Sequence, residues 1–429
     1  MSNDLIARLK TATKGSSKVS IGSRLESSQK LRSSSRRNSE SKTARFQLVQ
    51  YDGIFEWEET SGGRPNLKRY RRSGGSETTS DQDAVAELEF EKLAPSQITS
   101  FLEERDQELT PNRGIRRINV KRMSTSSATL PKSGNVLLLV HGTFSNTENL
   151  LSNFSGSESG MKFLNRAARK YKNNIFAFDH PTLSVSPILN AMDIARSLNG
   201  SSVKVDFIAH SRGGLVCKWL KEMIDPNGIN CRKMILAGSP LAGTGLAAPP
   251  NIRKTINLLT GIGNAVGGAV GLASLAVPIL SVVEALLKVL TSITRFAAKT
   301  PIADAAIAMV PGLFSMSRVG NNPELKRLLM SGVTNPTDYY AIQSNFEPTD
   351  PAWKFWRMFR KERLANFATD VIFDGDNDLV VDTSSMGQLA GSSRVAKSRT
   401  LDFGVSETVH HLNYFQQPKT HEFLSKILL

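Results

Sequence analysis

Short apolar runs alternate with amphipathic segments along the second half of the chain. Five consecutive apolar residues, Val136 to Val140, are typical of a strand that is buried on both faces of a parallel sheet. Helical patterns separate such runs; Ile188 to Leu198, for example, has an apolar face. The other predicted strands are 174–178, 205–209, 233–237, 338–342 and 369–373. This alternation predicts an α/β fold with a mostly parallel sheet and helices on both faces.

The alternation is interrupted at about residues 246–333. No charged residue occurs from Thr255 to Val283, and residues 284–298 continue as an apolar helical pattern. We interpret this segment as a helical apolar cap insertion over the functional site. A buried structural insert and a membrane-spanning segment are the alternatives, since about 20 apolar residues suffice for a span. The glycines and the proline within the segment argue against one plain spanning helix.

The N-terminal part differs in composition from the rest. Residues 1–44 are rich in Ser, Arg and Lys and poor in aromatic residues, which predicts a disordered basic arm. Residues 45–130 contain strand-like runs, such as 46–51 and 54–57, and predict a β-rich N-terminal extension. The α/β domain with its cap then covers residues 131–429.

A serine lies at a sharp turn between a predicted strand and a predicted helix. The segment Val203 to Leu215 reads VKVDFIAHSRGGL, with Ser211 at the turn. Such a turn exposes the hydroxyl and directs the first amides of the helix toward the group under attack. The usual pattern has glycine two residues before and after the serine; this chain has Ala209 and Gly213. We interpret Ser211 as a nucleophile, and an ordinary turn with a solvent-exposed serine is the alternative.

A cluster of acids follows the predicted strand 369–373. A serine nucleophile needs a base, and the base needs an acid that orients it. We prefer Asp378 as the acid, because it lies on a turn and is followed by an apolar anchor. Asp374, Asp376 and Asp382 remain alternatives, and oxygen ligands so close together would also suit calcium.

Two adjacent histidines follow the acids, so the order along the chain is nucleophile, acid, base. His410 and His411 cannot both point at Ser211 because they are neighbours in the sequence. We prefer His411, which loop residues follow, and keep His410 as the alternative. His141 and His210 lie inside other motifs and are interpreted as residues that orient loops.

Backbone amides near the serine are candidates for an oxyanion hole. One donor is expected from Arg212, directly after the nucleophile. The second is expected from the loop after the strand 136–140, at Thr143 or Phe144. Gly142 keeps that loop tight, because glycine tolerates unusual backbone angles.

With these motifs the chain resembles the lipase and esterase branch of the α/β-hydrolase superfamily, and within it lipase-like bacterial hydrolases. The matching pieces lie between about residues 135 and 416 and read VLLLVHGTFSN, FAFDHPTLS, VDFIAHSRGGL, MILAGSPLAGT, FDGDNDLVVD and VHHLNYF. The resemblance implies an α/β-hydrolase fold and the roles of Ser211, Asp378 and His411 as nucleophile, acid and base. It also implies an apolar lid. Arg212 is unusual after the nucleophile and suggests an anionic substrate such as a phospholipid.

Charge and cysteine content bear on partners and location. The formal net charge of +15 favours anionic partners, but much of it lies in the N-terminal arm, so a nucleic acid is not the expected partner. No metal-ligand spacing occurs, and no cofactor is expected. Two cysteines and no apolar signal segment favour a cytoplasmic location, with peripheral contact to an anionic membrane as an option.

The sequence thus predicts a hydrolase of lipid-like carboxylic esters that acts through an acyl-enzyme. Two alternatives belong to other classes. One is a binding protein on a hydrolase fold with an idle site, and the other is a membrane-inserting effector whose apolar segment is the working part. Thioesterase and peptidase activity use the same residues. The oligomeric state is not indicated.

Overall fold

A computed structural model describes residues 2–21, 42–51, 54–60, 84–225, 230–269, 271–293, 309–318, 320, 322–359, 372–373 and 375–429. The strands are β1 (Lys18–Ile21), β2 (Thr43–Tyr51), β3 (Ile54–Glu59), β4 (Ala84–Glu91), β5 (Gly114–Asn119), β6 (Ser124–Ser127), β7 (Ser133–Val140), β8 (Ile175–Asp179), β9 (Ser202–His210), β10 (Cys231–Ala237), β11 (Tyr339–Phe346), β12 (Gln388–Ala390), β13 (Ser393–Arg394) and β14 (Thr400–Ser406). The helices are α1 (Ser2–Thr13), α2 (Ile98–Leu109), α3 (Thr147–Ser155), α4 (Glu158–Lys170), α5 (Pro187–Leu198), α6 (Arg212–Trp219), α7 (Ile252–Gly267), α8 (Ala276–Ile293), α9 (Pro311–Phe314), α10 (Pro323–Met330), α11 (Thr383–Met386) and α12 (Pro418–Leu428).

The central sheet is mostly parallel, as predicted. Within the described residues it has eight strands in the order β14-β11-β10-β9-β7-β8-β5-β6. The six strands from β14 to β8 run parallel; β5 pairs antiparallel with β8, and β6 pairs antiparallel with β5. Core residues lie on both faces of the sheet and form two apolar clusters. The architecture is that of an α/β-hydrolase fold, and the central strands β7, β9 and β10 carry the site motifs at their carboxyl ends.

The N-terminal arm is partly ordered, so the prediction of disorder is wrong for residues 2–21. Leu5, Ile6, Leu9 and Ala12 occur at helical spacing and are all buried in α1, which packs on α8. β1 then joins β4 in a small antiparallel sheet of order β1-β4-β2-β3. Residues 22–41 of the predicted arm lie outside the described residues.

The predicted β-rich extension exists but has a different boundary. Its strands β2, β3 and β4 form the small sheet with β1, whereas β5 and β6 pair with β8 in the central sheet. The residues from 114 onward therefore belong to the α/β domain and not to the extension. The sequence could not reveal this boundary, because it does not show which strands pair with each other.

The predicted cap is helical and lies between the two sheets. α7 and α8 pack against each other, α8 contacts α1 and α2, and α7 contacts β3. Trp57 of β3 donates its indole N–H to Thr260 Oγ1 at 2.9 Å and its amide to Asn257 Oδ1 at 3.1 Å. Among the described residues, 273–293 is the one segment that is long and apolar enough to cross a membrane, and 78% of its most apolar window is buried inside the protein.

Three segments near the C-terminus compare differently with the sequence. Residues Pro351–Phe359 form a 3-10 helix, and the described residues resume at 372. The predicted strand 369–373 falls mostly outside the described residues. β14 was not predicted; it is an edge strand with half-exposed side chains, so it lacks a buried apolar run.

Candidate active site

Ser211 lies at a strained turn between β9 and α6. Its φ is +53° and its ψ is −127°, angles that few non-glycine residues adopt. The neighbouring backbone approaches very closely: a Cβ on Gly142 would lie 2.6 Å from the Ser211 Cβ, and one on Gly213 would lie 2.6 Å from the His141 carbonyl oxygen. The backbone thus approaches the Ser211 turn most closely at Gly142 and Gly213.

The preferred acid and base meet in a buried pair. The Nδ1 atom of His411 lies 2.8 Å from Asp378 Oδ2, and the two side chains are 4% and 0% exposed. An ionised carboxylate only accepts hydrogen bonds, so Nδ1 carries the proton and Nε2 is free to accept one. The other carboxylate oxygen accepts from the amides of Val380 at 3.1 Å and Val381 at 2.9 Å.

The alternative acids and base have other partners. His410 packs against the rings of Phe346 and Trp353, and burial lowers its pKa to about 3. Asp376 is exposed, and Asp382 pairs with Arg318 at 3.0 Å.

Asp374 lies outside the described residues. Among the residues that are described, no group of three or more His, Cys, Asp or Glu side chains could hold a metal ion. Within the described residues the acids do not support the calcium alternative, since Asp378 pairs with His411 and Asp382 pairs with Arg318.

Ser211 and His411 line one pocket beneath the cap. Its walls are largely aliphatic and come from the segment after β10, from α7, from the start of α8 and from residues near α9. The apolar lining residues from these segments are Leu246, Leu259, Ile262, Leu275, Ile279, Leu313 and Met316. The pocket can therefore hold an apolar group next to the serine hydroxyl.

The predicted oxyanion loop borders the same pocket. Thr143 and Phe144 both line it, and Phe144 has a φ of +61° that turns the loop sharply after β7. The amide of Phe144 lies 3.4 Å from Thr182 Oγ1, a long hydrogen bond, and the Thr143 hydroxyl lies 3.4 Å from the Met316 sulfur. Arg212 begins α6, so its amide is among those that a helix leaves without an intrahelical partner.

The Arg212 side chain does not enter the pocket, which corrects the inference that it selects an anionic substrate. Its guanidinium is fully buried and donates a hydrogen bond to the Val185 carbonyl. Burial lowers its pKa to about 10, and the charges of Asp106 and Glu324 oppose that effect. Asp106 itself accepts from the amides of residues 182–184 and thereby fixes the loop after β8.

Two more histidines support the site, as predicted. His210 Nε2 donates to the His411 carbonyl at 2.7 Å, and burial lowers the pKa of His210 to about 3. His141 Nδ1 donates to the Gly142 carbonyl at 2.8 Å, and burial lowers the pKa of His141 to about 4. Both rings are therefore neutral at physiological pH and hold the backbone on either side of Ser211.

Sequence reasoning missed two residues that contact the acid–base pair. The Tyr414 hydroxyl donates to Asp378 Oδ2 at 2.9 Å. Gly238, with φ +57°, lies so close that a Cβ would be 2.9 Å from Asp378 Oδ2 and 2.9 Å from His411 Nδ1. Both residues lie within pieces that carry the resemblance, Tyr414 three residues after His411 in VHHLNYF and Gly238 in MILAGSPLAGT, but nothing in the sequence indicates a contact with the acid or the base.

Comparison with protein families gives one match. A domain of unknown function, DUF7379, matches residues 110–429. No curated protein matches the chain.

Solved structures with related folds include several bacterial hydrolases. A lipase from Bacillus licheniformis, BlEst2 in its mature form, is 16% identical, with 71% of this chain and 96% of that chain covered and a TM-score of 0.37. Lipase 1 from Pelosinus fermentans is 16% identical, with 68% and 98% covered and a TM-score of 0.39. The Cif epoxide hydrolase from Acinetobacter nosocomialis is 9% identical, with 77% and 97% covered and a TM-score of 0.39. These similarities do not identify a reaction.

Proposed function

We propose that this chain, which belongs to the DUF7379 family, is a serine hydrolase that cleaves carboxylic esters with an apolar acyl chain. One observation carries the proposal. His411 Nδ1 is hydrogen-bonded to Asp378 Oδ2, and the same histidine lines an apolar pocket with the strained Ser211. A base that is oriented by a buried acid and lies beside a serine is what nucleophilic acyl transfer requires.

The reaction follows from the roles of these groups. Ser211 Oγ attacks the ester carbonyl while His411 Nε2 takes the hydroxyl proton, and Asp378 stabilises the imidazolium that forms. The amide of Arg212 and an amide at Thr143 or Phe144 stabilise the oxyanion. His411 then gives its proton to the leaving alkoxide, and water, activated by the same base, releases the acid from Ser211.

The substrate class follows from the pocket. Its aliphatic walls favour an apolar acyl chain over a charged or sugar-like one. The cap helices provide much of these walls, so the acyl group would contact α7 and α8 during turnover. Thioester and amide substrates would use the same three residues, and substrate screening decides between them.

Active-site labelling tests the proposal. We expect a fluorophosphonate probe to label the full-length protein, with and without phospholipid vesicles. Labelling should vanish in Ser211→Ala and fall by at least about 100-fold in His411→Ala, because the serine then has no base. His410→Asn is the matched control, since it changes the adjacent histidine, and it should be labelled like the wild type.

The two other function classes give different results in the same experiment. An idle-site binding protein would not be labelled under any condition. A membrane-inserting effector would cause vesicle leakage that persists in Ser211→Ala. Either result would overturn the hydrolase proposal.

The proposal extends to location and partner. We infer a cytoplasmic protein, because two cysteines do not make a disulfide framework, and one that contacts an anionic membrane surface peripherally, because the net charge is +15 and the proposed substrate is lipid-like. Sedimentation with anionic vesicles, and its loss with neutral ones or at high salt, is the expected result. Equal binding to both kinds of vesicle would contradict this extension.

A further inference from the structure

The Asp378 carboxylate has a complete set of hydrogen-bond donors. Oδ1 accepts from the amides of Val380 and Val381, and Oδ2 accepts from His411 Nδ1 and from the Tyr414 hydroxyl at 2.9 Å. Two groups therefore share the oxygen that faces the base. One of them, His411, would change charge during the proposed reaction, and the other would not.

The fold holds Tyr414 rigidly in this position. Tyr414 is 1% exposed and begins a 3-10 turn, Tyr414–Gln416, directly after the histidine loop. Its ring packs beside the rings of Phe403 and His411, with centroids 6.3 Å and 6.5 Å away. In this position its hydroxyl donates to Asp378 Oδ2.

Tyr414 remains a neutral donor over the whole working range of pH. Burial, and then the negative charge of Asp378, raise the pKa of Tyr414 well above its ordinary value. Because the phenol carries no charge, it reduces the charge density on Oδ2 only in part and leaves the rest to support the imidazolium.

We propose that Tyr414 is a positioning residue, whose hydroxyl fixes Asp378 Oδ2 and sets how strongly Asp378 supports a proton on His411. This inference rests on the proposed function, because it concerns the same acid–base pair. Without the hydroxyl, Oδ2 keeps a single donor, the carboxylate is more free to rotate, and its full charge bears on the imidazole.

The chain offers a matched control for this tyrosine. The Tyr171 hydroxyl donates to Asp206 Oδ2 at 2.6 Å, and both side chains are buried, with Asp206 in the middle of β9. Tyr171→Phe therefore removes the same kind of buried hydrogen bond away from the pocket. A purely structural loss would look the same in both variants.

The kinetic test compares Tyr414→Phe and Tyr171→Phe in the full chain with a soluble ester. In Tyr414→Phe we expect kcat to fall about tenfold, the size of one hydrogen bond to a charged group, with KM unchanged. The acid limb of the pH dependence of kcat/KM should move to higher pH by about half a unit. Tyr171→Phe should leave the limb where it is. An unmoved limb in Tyr414→Phe, or an equal movement in both variants, overturns the proposal.

A spectroscopic test does not depend on turnover. The proton between His411 Nδ1 and Asp378 should give a downfield proton resonance, assigned by its loss in His411→Gln. We expect this resonance to move further downfield in Tyr414→Phe, because Oδ2 becomes a stronger acceptor, and to stay in place in Tyr171→Phe. An unchanged resonance in Tyr414→Phe overturns the positioning role. If the wild type neither turns over esters nor reacts with fluorophosphonate, the hydrolase proposal fails, and this resonance still decides whether Tyr414 acts on the pair.

Discussion

Two fully buried carboxylates in this molecule are neutralised in different ways. Asp378 belongs to what we call the acid–base cluster, which also contains His411 and Tyr414. Glu284, in the middle of α8, belongs to the cap ion cluster with Arg105 and Lys288. Arg105 Nη2 and Lys288 Nζ each lie 2.8 Å from a Glu284 oxygen, and the three side chains are no more than 5% exposed.

The difference lies in whether the partners carry a permanent charge. In the cap ion cluster two cations balance Glu284, and the hydroxyls of Ser16 and Ser17 donate to it at 2.8 and 2.5 Å. In the acid–base cluster the donors are amides, a phenol and an imidazole. In the cap ion cluster the two cations neutralise the Glu284 carboxylate, so this cluster serves to bind segments together. The acid–base cluster keeps the Asp378 charge available for a proton on His411.

Removing the charge of Glu284 should have the largest effect on stability. In Glu284→Gln, Lys288 stays buried without a counter-ion and Arg105 keeps only the partly exposed Glu108, so we expect the free energy of unfolding to fall by about 3–5 kcal/mol. Urea unfolding measures this. Fluorophosphonate labelling of the folded fraction should match the wild type, because the acid–base cluster is unchanged.

Glu108→Gln is the control for this experiment. Glu108 pairs with the same Arg105 at 2.8 Å but is 26% exposed, so its removal should cost less than about 1 kcal/mol. Equal losses in the two variants would show that the cap ion cluster gives no more stability than a surface pair.

Adding a side chain at Gly238, beside the acid–base cluster, should reduce turnover strongly and stability only weakly, the opposite of Glu284→Gln. The added Cβ of Gly238→Ala must displace Asp378 or His411, and we expect turnover to fall about 100-fold, the usual cost of a misplacement of this size. Stability should fall by only about 1–2 kcal/mol, from the strain of a positive φ. Gly404→Ala has φ +62° and no atom within 4 Å of the added Cβ, so it should show the strain alone. Turnover of Gly238→Ala that equals that of Gly404→Ala would contradict the close contact.

His410, the neighbour of the base His411, should affect only the pH dependence of stability. The pKa of His410 is lowered to about 3 by burial, against 6.5 for an ordinary histidine. The contribution of neutral His410 to the free energy of unfolding is complete above pH 6.5. It is lost as the pH falls toward 3, because only the unfolded chain binds the proton in that window. Between pH 7 and pH 5 the wild type should lose about 2 kcal/mol more than His410→Asn, whose Oδ1 can replace Nδ1 as acceptor. Denaturant unfolding at both pH values measures this. Equal losses of stability in the wild type and in His410→Asn would contradict the prediction.

The parts of the fold that the sequence predicts well are those where burial on both faces leaves an uninterrupted apolar run. β7 and β8 are of this kind, and so are the last residues of β9 and β10, which end just before Ser211 and Gly238. The helix α1 was missed although Leu5, Ile6 and Leu9 have helical spacing, because the Ser- and Arg-rich residues after it dominate the composition of the arm. A short amphipathic helix gains its stability from the surface on which it packs, and that surface is in α8.

The candidate site was predictable where chain order and motif carried it. Ser211, Asp378 and His411 were chosen from order and turn chemistry, and their catalytic roles stay predictions until the labelling experiment. The direction of the Arg212 side chain could not be predicted, because its hydrogen-bond partner, the Val185 carbonyl, is not a neighbour in the sequence. The contact of Tyr414 with Asp378 joins residues 36 positions apart, and no single-sequence pattern reveals it.

The family match begins at residue 110, whereas α1, the small sheet and α2 all come before it. These elements cover the side of α7 and α8 that faces away from the pocket, and they supply Arg105 and both serines to Glu284. A relative that keeps the cap but lacks residues 1–109 must therefore carry a different outer face on its cap, with no acid at the position of Glu284. An alignment of the family should show the outer cap positions and the N-terminal segment changing together, as one inherited unit.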